Sequence, residues 1–224
     1  MASGGVNMPS TQFIGTSHIS KESIDKVREK ILSEKPDIVA IELDEGRLRA
    51  LLAGKKKIPL SAIRQLGLFG FLFQVVGSHF QRELGRQVKQ TPGIDMKTAY
   101  LAAKKVNAKI FLIDQPIQTT LQKISKVPLF EKIKFFFSIL FGVFSKEKIE
   151  LDLTKVPAED MILKLARDFK DEFPNFYGVL VTERDKYISN QILHVGKHFP
   201  DKNILVVLGA GHLKGVRRLL IKNQ

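Results

Sequence analysis

The chain has no cysteine, no tryptophan and only three tyrosines, and its acidic residues are far outnumbered by basic ones. Without cysteine there can be no disulfide, thiolate metal site or cysteine nucleophile, so any metal would be held by nitrogen and oxygen ligands. Without Trp and with so few Tyr, a base-stacking platform would have to be built from Phe. No helix-turn-helix, zinc-finger or RNA-recognition signature is present either, and no nucleic acid is expected as a partner. The acid deficit leaves 36 Lys and Arg against 23 Asp and Glu, a formal charge of +13. Such a surplus points to an anionic partner, with the negative face of a membrane as the remaining reading.

Long apolar runs are missing too. No stretch reaches the roughly 18 continuous apolar residues of a spanning helix. The nearest, between Arg64 and Arg82, is broken by Gln65, Gly67, Gly70, Gln74, Gly77 and Ser78. The first residues are small and polar, without the basic and apolar regions of a signal peptide, and 1–7 read as an extension before a start at Met8. The expectation is a soluble, cytoplasmic protein.

What is there is an α/β pattern. Gln12 to Gly15 reads as a strand, and Ser20 can cap a helix with Ile24, Val27 and Ile31 on one face. Lys35-Pro36 stops that helix, and Asp37 to Leu43 reads as a buried strand, completing a βαβ unit. Ile94 to Asn107 has helical spacing, and Ala108 to Ile113 reads as a third buried strand. Helices over Pro157 to Phe173 and Tyr177 to His194 lead to a last strand over Asn203 to Leu208 and a closing helix over Leu213 to Lys222. The pattern predicts one domain over 1–224, a central, mostly parallel sheet flanked by helices, with helical insertions at about 46–90 and 119–150.

Several residues stand out against it. Gly15-Thr-Ser-His18 and Gly209-Ala-Gly-His212 each close an apolar run, reading as a strand, a tight turn and a helix. Glycines at Gly15, Gly209 and Gly211 suit sharp turning and close backbone approach. In an open parallel sheet such turns open on the crevice where ligands bind, and imidazole serves there as metal ligand or general base. Each histidine alone is equally an incidental feature of a routine turn. Glu42 interrupts the end of an apolar strand and calls for a partner, be it a cation, a metal, a proton, or simply Arg47 or Arg49. Arg184 shares a helix face with Tyr187 and Ile188, which suits an anion clamp as well as a solvated face. Asp95 and Asp114 fall at element ends, where a cap or a turn accounts for each. The block from Phe135 to Phe144, with Lys132, Lys134, Lys146 and Lys148 around it, reads as a core helix, a homodimer interface or a basic amphipathic helix for a membrane surface. His79, His194 and His198 show no ligand spacing among themselves.

Taken in order, Ile14-Gly-Thr-Ser-His18, Pro36 to Leu43 with Arg47, Pro92-Gly-Ile-Asp-Met96, Ile113-Asp-Gln-Pro-Ile117, Glu183-Arg-Asp185 and Val207 to Leu213 resemble the TraB/PrgY family from about 12 to 216. That family is related to the TIKI proteases and, by fold, to ChaN-like and erythromycin-esterase-like proteins. The resemblance implies a metal-dependent hydrolase in which the two GxxH histidines, His18 and His212, bind a divalent ion together with Glu42. Manganese or cobalt is implied, with zinc as an alternative. Glu42 and Arg184 are then the catalytic pair, and Arg184, Asp185, Tyr187 and Asp95 line the substrate. Relatives often carry Asn at the position of Asp185 and Glu at that of Asp95. Members that inhibit peptide-pheromone signalling imply a peptide or protein substrate, or a non-catalytic protein that sequesters the peptide. Relatives also continue into membrane-spanning helices, which would make this chain the soluble part of a membrane-associated protein.

Overall fold

Runs of Ile, Val and Leu, too continuous for a half-exposed strand, build the middle of a four-stranded sheet in the computed structural model. The structure describes residues 10–16, 21–54, 93–144 and 159–222. His18, His79 and most of the expected 46–90 insertion lie outside the described residues.

The strands are β1 (Thr11–Thr16), β2 (Ile38–Ile41), β3 (Lys109–Leu112) and β4 (Ile204–Gly209). They lie in the order β1-β4-β2-β3, every neighbouring pair parallel. β3 is a half-buried edge strand, unlike the fully buried strand its apolar run suggests. Register places Thr16 opposite Gly209 and Ile41 opposite both Val207 and Leu112, so β1 and β4 end level and β2 and β3 end two residues short of them at the same edge. Beyond the last paired residue of β2 the ladder continues, with the Glu42 N–H donating to Val207 O at 3.0 Å and the Ile113 N–H to Ile41 O at 3.0 Å.

Helix α1 (Lys21–Glu34) follows β1 and α2 (Glu45–Ala53) follows β2, capped by the Asp44 side chain on the Arg47 N–H. Gly54, in left-handed backbone, closes α2, and Gly93, likewise left-handed, opens α3 (Ile94–Lys105). Helices α4 (Ile117–Ser125) and α5 (Leu129–Phe144) come after β3, in the region read as the second insertion. Then come α6 (Glu159–Glu172), the short α7 (Pro174–Tyr177), a π-helical turn (Gly178–Thr182), α8 (Glu183–His198) and α9 (Ala210–Lys222). The single helix expected from Tyr177 is thus a longer helical run with a π turn inside it, the sort of distortion that recurs at functional sites.

The sheet separates two cores. Val39, Ile41, Leu205 and Val207 face Val27 and Ile31 of α1 and Met96, Ala99 and Ala103 of α3. Ile38, Ala40, Ile204, Val206 and Leu208 face Ile188, Ile192 and Val195 of α8 and Val216 and Leu220 of α9. The alternation is that of a strand buried on both sides. A third cluster joins α4 and α7 through Leu121, Ile124, Phe173 and Phe176. Among the described residues no helix is long and apolar enough to cross a membrane.

Helices after β1 and β2 lie on one face of the sheet, whereas the helix after β4 lies on the other. Because β4 sits between β1 and β2, the chain diverges at its carboxyl end. That is the geometry that opens a ligand crevice in a parallel sheet.

Candidate functional site

At that divergence β4 passes into α9 without a turn. Gly209 ends the strand and Ala210 begins the helix, putting His212 in its first turn. The tight turn expected at Gly209-Ala-Gly is therefore absent, and α9 starts earlier than the expected Leu213. Neither Gly15, Gly209 nor Gly211 has positive φ; among the described residues the left-handed glycines are Gly54 and Gly93. Gly15 serves close approach instead, since a β-carbon there would stand 3.2 Å from Leu213 Cδ2, whereas one at Gly211 would meet open space.

Glu42 lies at the middle of a buried charge cluster. Its Oε2 accepts the Gly209 N–H at 2.6 Å, and its Oε1 accepts Arg184 Nη2 at 2.7 Å. His212 Nε2 lies 3.5 Å from the same Oε1. On its other side His212 Nδ1 lies 2.7 Å from Asp185 Oδ1. The Asp185 carboxylate thus orients the imidazole from its Nδ1 side and turns Nε2 toward Glu42, the arrangement that orients many metal-ligating imidazoles. Asp185 reaches this position because residue 215 has no side chain: a β-carbon on Gly215 would fall 1.9 Å from Asp185 Oδ2.

Arg184 is no solvated helix residue. Its side chain is 16% exposed, and it donates Nε to Asp114 Oδ1 at 3.0 Å, Nη2 to Asp114 Oδ2 at 2.6 Å, and Nη1 to the Leu180 carbonyl of the π turn at 3.3 Å. With the bond to Glu42, four of the five N–H donors of a guanidinium are engaged. Asp114 also pairs with Arg47 Nη2, while Arg47 Nε pairs with Asp44. Burial alone would raise the Asp114 carboxyl. The hydrogen bonds and charge of Arg184, joined by Arg47, outweigh burial and hold it at about 2. Burial likewise works against the charged forms of both arginines, but Asp114, with Glu42 for Arg184 and Asp44 for Arg47, leaves each raised above its ordinary value.

Of the residues expected at the site, the structure brings together Glu42, Arg184, Asp185 and His212, with Gly209 supplying a backbone donor. Asp95 is fully buried near the first GxxH element, accepting the Thr16 hydroxyl at 2.5 Å rather than facing outward. Tyr187 is half-buried on α8, and among the described residues no hydrogen bond joins it to the cluster. Sequence reasoning passed over Asp114, Arg47 and Asp44 as site members. The signal for Asp114 was its place at the end of the strand beside that of Glu42, which a reading of Asp-Gln-Pro as a turn obscures.

Among the described residues no group of three or more His, Cys, Asp and Glu side chains is gathered as a metal site. Two of the expected donors have the spacing of ligands to one ion. Atoms each about 2.1 Å from a metal at a tetrahedral angle stand about 3.4 Å apart, and Nε2 of His212 and Oε1 of Glu42 are 3.5 Å apart. Among the described residues, Arg184 pairs with Glu42 and Asp114, Arg47 pairs with Asp44 and Asp114, and Asp185 meets His212. A second cleft, at the amino ends of the strands, is lined by Ser10, Gln12, Glu34, Pro36 and Asn203; its ionisable group, Glu34, is paired with Lys30 at 2.6 Å.

The fold and cluster define an open parallel α/β protein with a buried acid–arginine–histidine site at the carboxyl edge of its sheet. The chain belongs to the TraB/PrgY/gumN family, whose model matches residues 7–223. It is 34% identical over 225 residues to an uncharacterised protein of Methanocaldococcus jannaschii, covering 97% of this chain and 55% of that one. It is 27% identical to a TraB domain-containing protein of Mus musculus and 25% identical to one of Homo sapiens, covering 92% of this chain and 61% of each relative. The chain thus spans little more than half the length of the curated relatives it matches.

Proposed function

We propose that the chain is a metal-dependent hydrolase acting on peptides, with the Glu42–His212 pair as the core of its site. The observation that carries the reading is the oriented imidazole. Asp185 holds His212 by Nδ1, so that Nε2 faces a buried carboxylate across a gap of metal-binding width. His18, from the other GxxH element, would complete the donor set. A divalent ion bound there would polarise a carbonyl and activate water. The chain's own groups would orient that chemistry. The Gly209 N–H and Arg184 fix the Glu42 carboxylate, and Arg184 has a single N–H left for a developing oxyanion. Arg47, with Nε and Nη2 engaged and its side chain 32% exposed, is the better-placed clamp for a substrate carboxylate.

A second reading, peptide capture without turnover, is favoured by one observation: both oxygens of Glu42 already have protein partners. Peptide hydrolysis with manganese, cobalt or zinc, measured for the wild type, His212→Ala and Glu42→Gln, separates the two. Metal-dependent cleavage lost in both variants supports the hydrolase. Stoichiometric peptide binding without product supports capture, and the absence of both cleavage and metal binding refutes the first reading.

A further inference from the structure

Helix α5 has two unlike faces. Its inner face is anchored: Glu131 accepts the Phe176 N–H at 2.9 Å and the Asn175 Nδ2 at 2.6 Å, while Phe135 stacks on Phe176 with ring centroids 4.5 Å apart and meets Phe173 edge-on. Its outer face exposes Phe130 at 80% and Leu129, Ile133, Phe136 and Phe137 at between 46% and 57%. At about 100° per residue these five positions form one stripe about 120° wide. Lys132 and Lys134 stand about 40° beyond its two margins, and Lys126 is exposed one turn before the helix. The only acid of α5 is the inward Glu131, which is buried. The outer face is therefore aromatic and aliphatic with basic edges, and the carboxylate beside it is that of Glu172, 3.7 Å from Lys134 Nζ.

We infer that this face of α5 docks on an anionic lipid surface, with Leu129, Phe130, Ile133 and Phe136 entering the headgroup–acyl boundary and the marginal lysines meeting lipid phosphates. Charge selects the occupant. A second copy would bring the same basic edges and another net +13 against the first, whereas an anionic bilayer complements both. Lysine stems are long enough to lie along the apolar stripe with their ammonium groups at headgroup level. Lys134 now donates to the Glu172 carbonyl at 3.1 Å, and Lys132 to the Ser125 carbonyl at 2.6 Å. The Lys134 contact is exposed, and phosphate oxygens can replace it.

Cosedimentation with vesicles tests this. The wild-type chain should bind phosphatidylcholine–phosphatidylglycerol vesicles at least about tenfold more strongly than phosphatidylcholine alone, and salt should weaken the binding. Phe130→Asp/Phe136→Asp should lose about tenfold or more of it, with an unchanged circular-dichroism melt because both side chains point outward. Leu101→Asp, at an exposed apolar position on α3, should bind like the wild type. The inference is overturned if the wild type ignores phosphatidylglycerol, or if the double variant binds as well as the wild type. It is equally overturned if sedimentation without lipid shows a dimer that the double variant abolishes.

Discussion

Asp114→Asn is the sharpest perturbation of the charge cluster, because one buried carboxylate binds both arginines there. Its pKa of about 2 in the folded protein, against an ordinary 3.8, means that folding favours the ionised form by about 2 kcal/mol. Because the folded value is the lower one, this stability is fully present above about pH 4 and is lost as pH falls towards 2. The amide keeps the shape but removes the charge, leaving the largely buried Arg184 and the half-buried Arg47 with one counter-ion fewer. Breaking a buried pair in this way costs about 3–5 kcal/mol. Urea unfolding followed by far-UV circular dichroism is the assay, since the chain has no tryptophan to report by fluorescence. The variant should be less stable by about 3 kcal/mol at pH 7, and the difference from wild type should shrink by about 2 kcal/mol between pH 5 and pH 2. Equal stability at pH 7, or a difference that stays constant down to pH 2, would refute the electrostatic reasoning.

Two further substitutions test how the cluster and its surroundings are held. Gly215→Ala drives a methyl into the space of Asp185 Oδ2, so it should cost about 1–3 kcal/mol in thermal unfolding and break the His212–Asp185 contact. An unchanged His212 imidazole resonance in NMR would contradict that. Glu131→Ala leaves the buried Phe176 N–H without its acceptor and should cost about 1–3 kcal/mol by urea unfolding; a loss below about 0.5 kcal/mol would mean that the contact carries no weight.

The sheet was legible because β2 and β4 are runs of Ile, Val, Ala and Leu with no exposed face, a pattern only a doubly covered strand requires. The helix face of Ile24, Val27 and Ile31 was legible for the same reason, and all three are buried. Glu42 announced itself as a charge at the end of such a run. Asp114 did not, since its partners Arg47 and Arg184 lie 67 and 70 positions away and its own neighbours spell a turn. The π turn before Arg184 was also hidden: Gly178 to Thr182 carries nothing that distinguishes it from α-helix. The role of Gly215 was invisible as well, because it exists only where α9 crosses α8 beside Asp185.

The central claim is that Glu42 and His212 form one half of a divalent-ion site, and calorimetric titration with manganese tests it most directly. The wild type should bind one equivalent, His212→Ala and Glu42→Gln should each weaken it by at least about tenfold, and the exposed His194→Ala should leave it unchanged. Binding that is the same in all four proteins, or absent from the wild type with manganese, cobalt and zinc alike, would contradict the account.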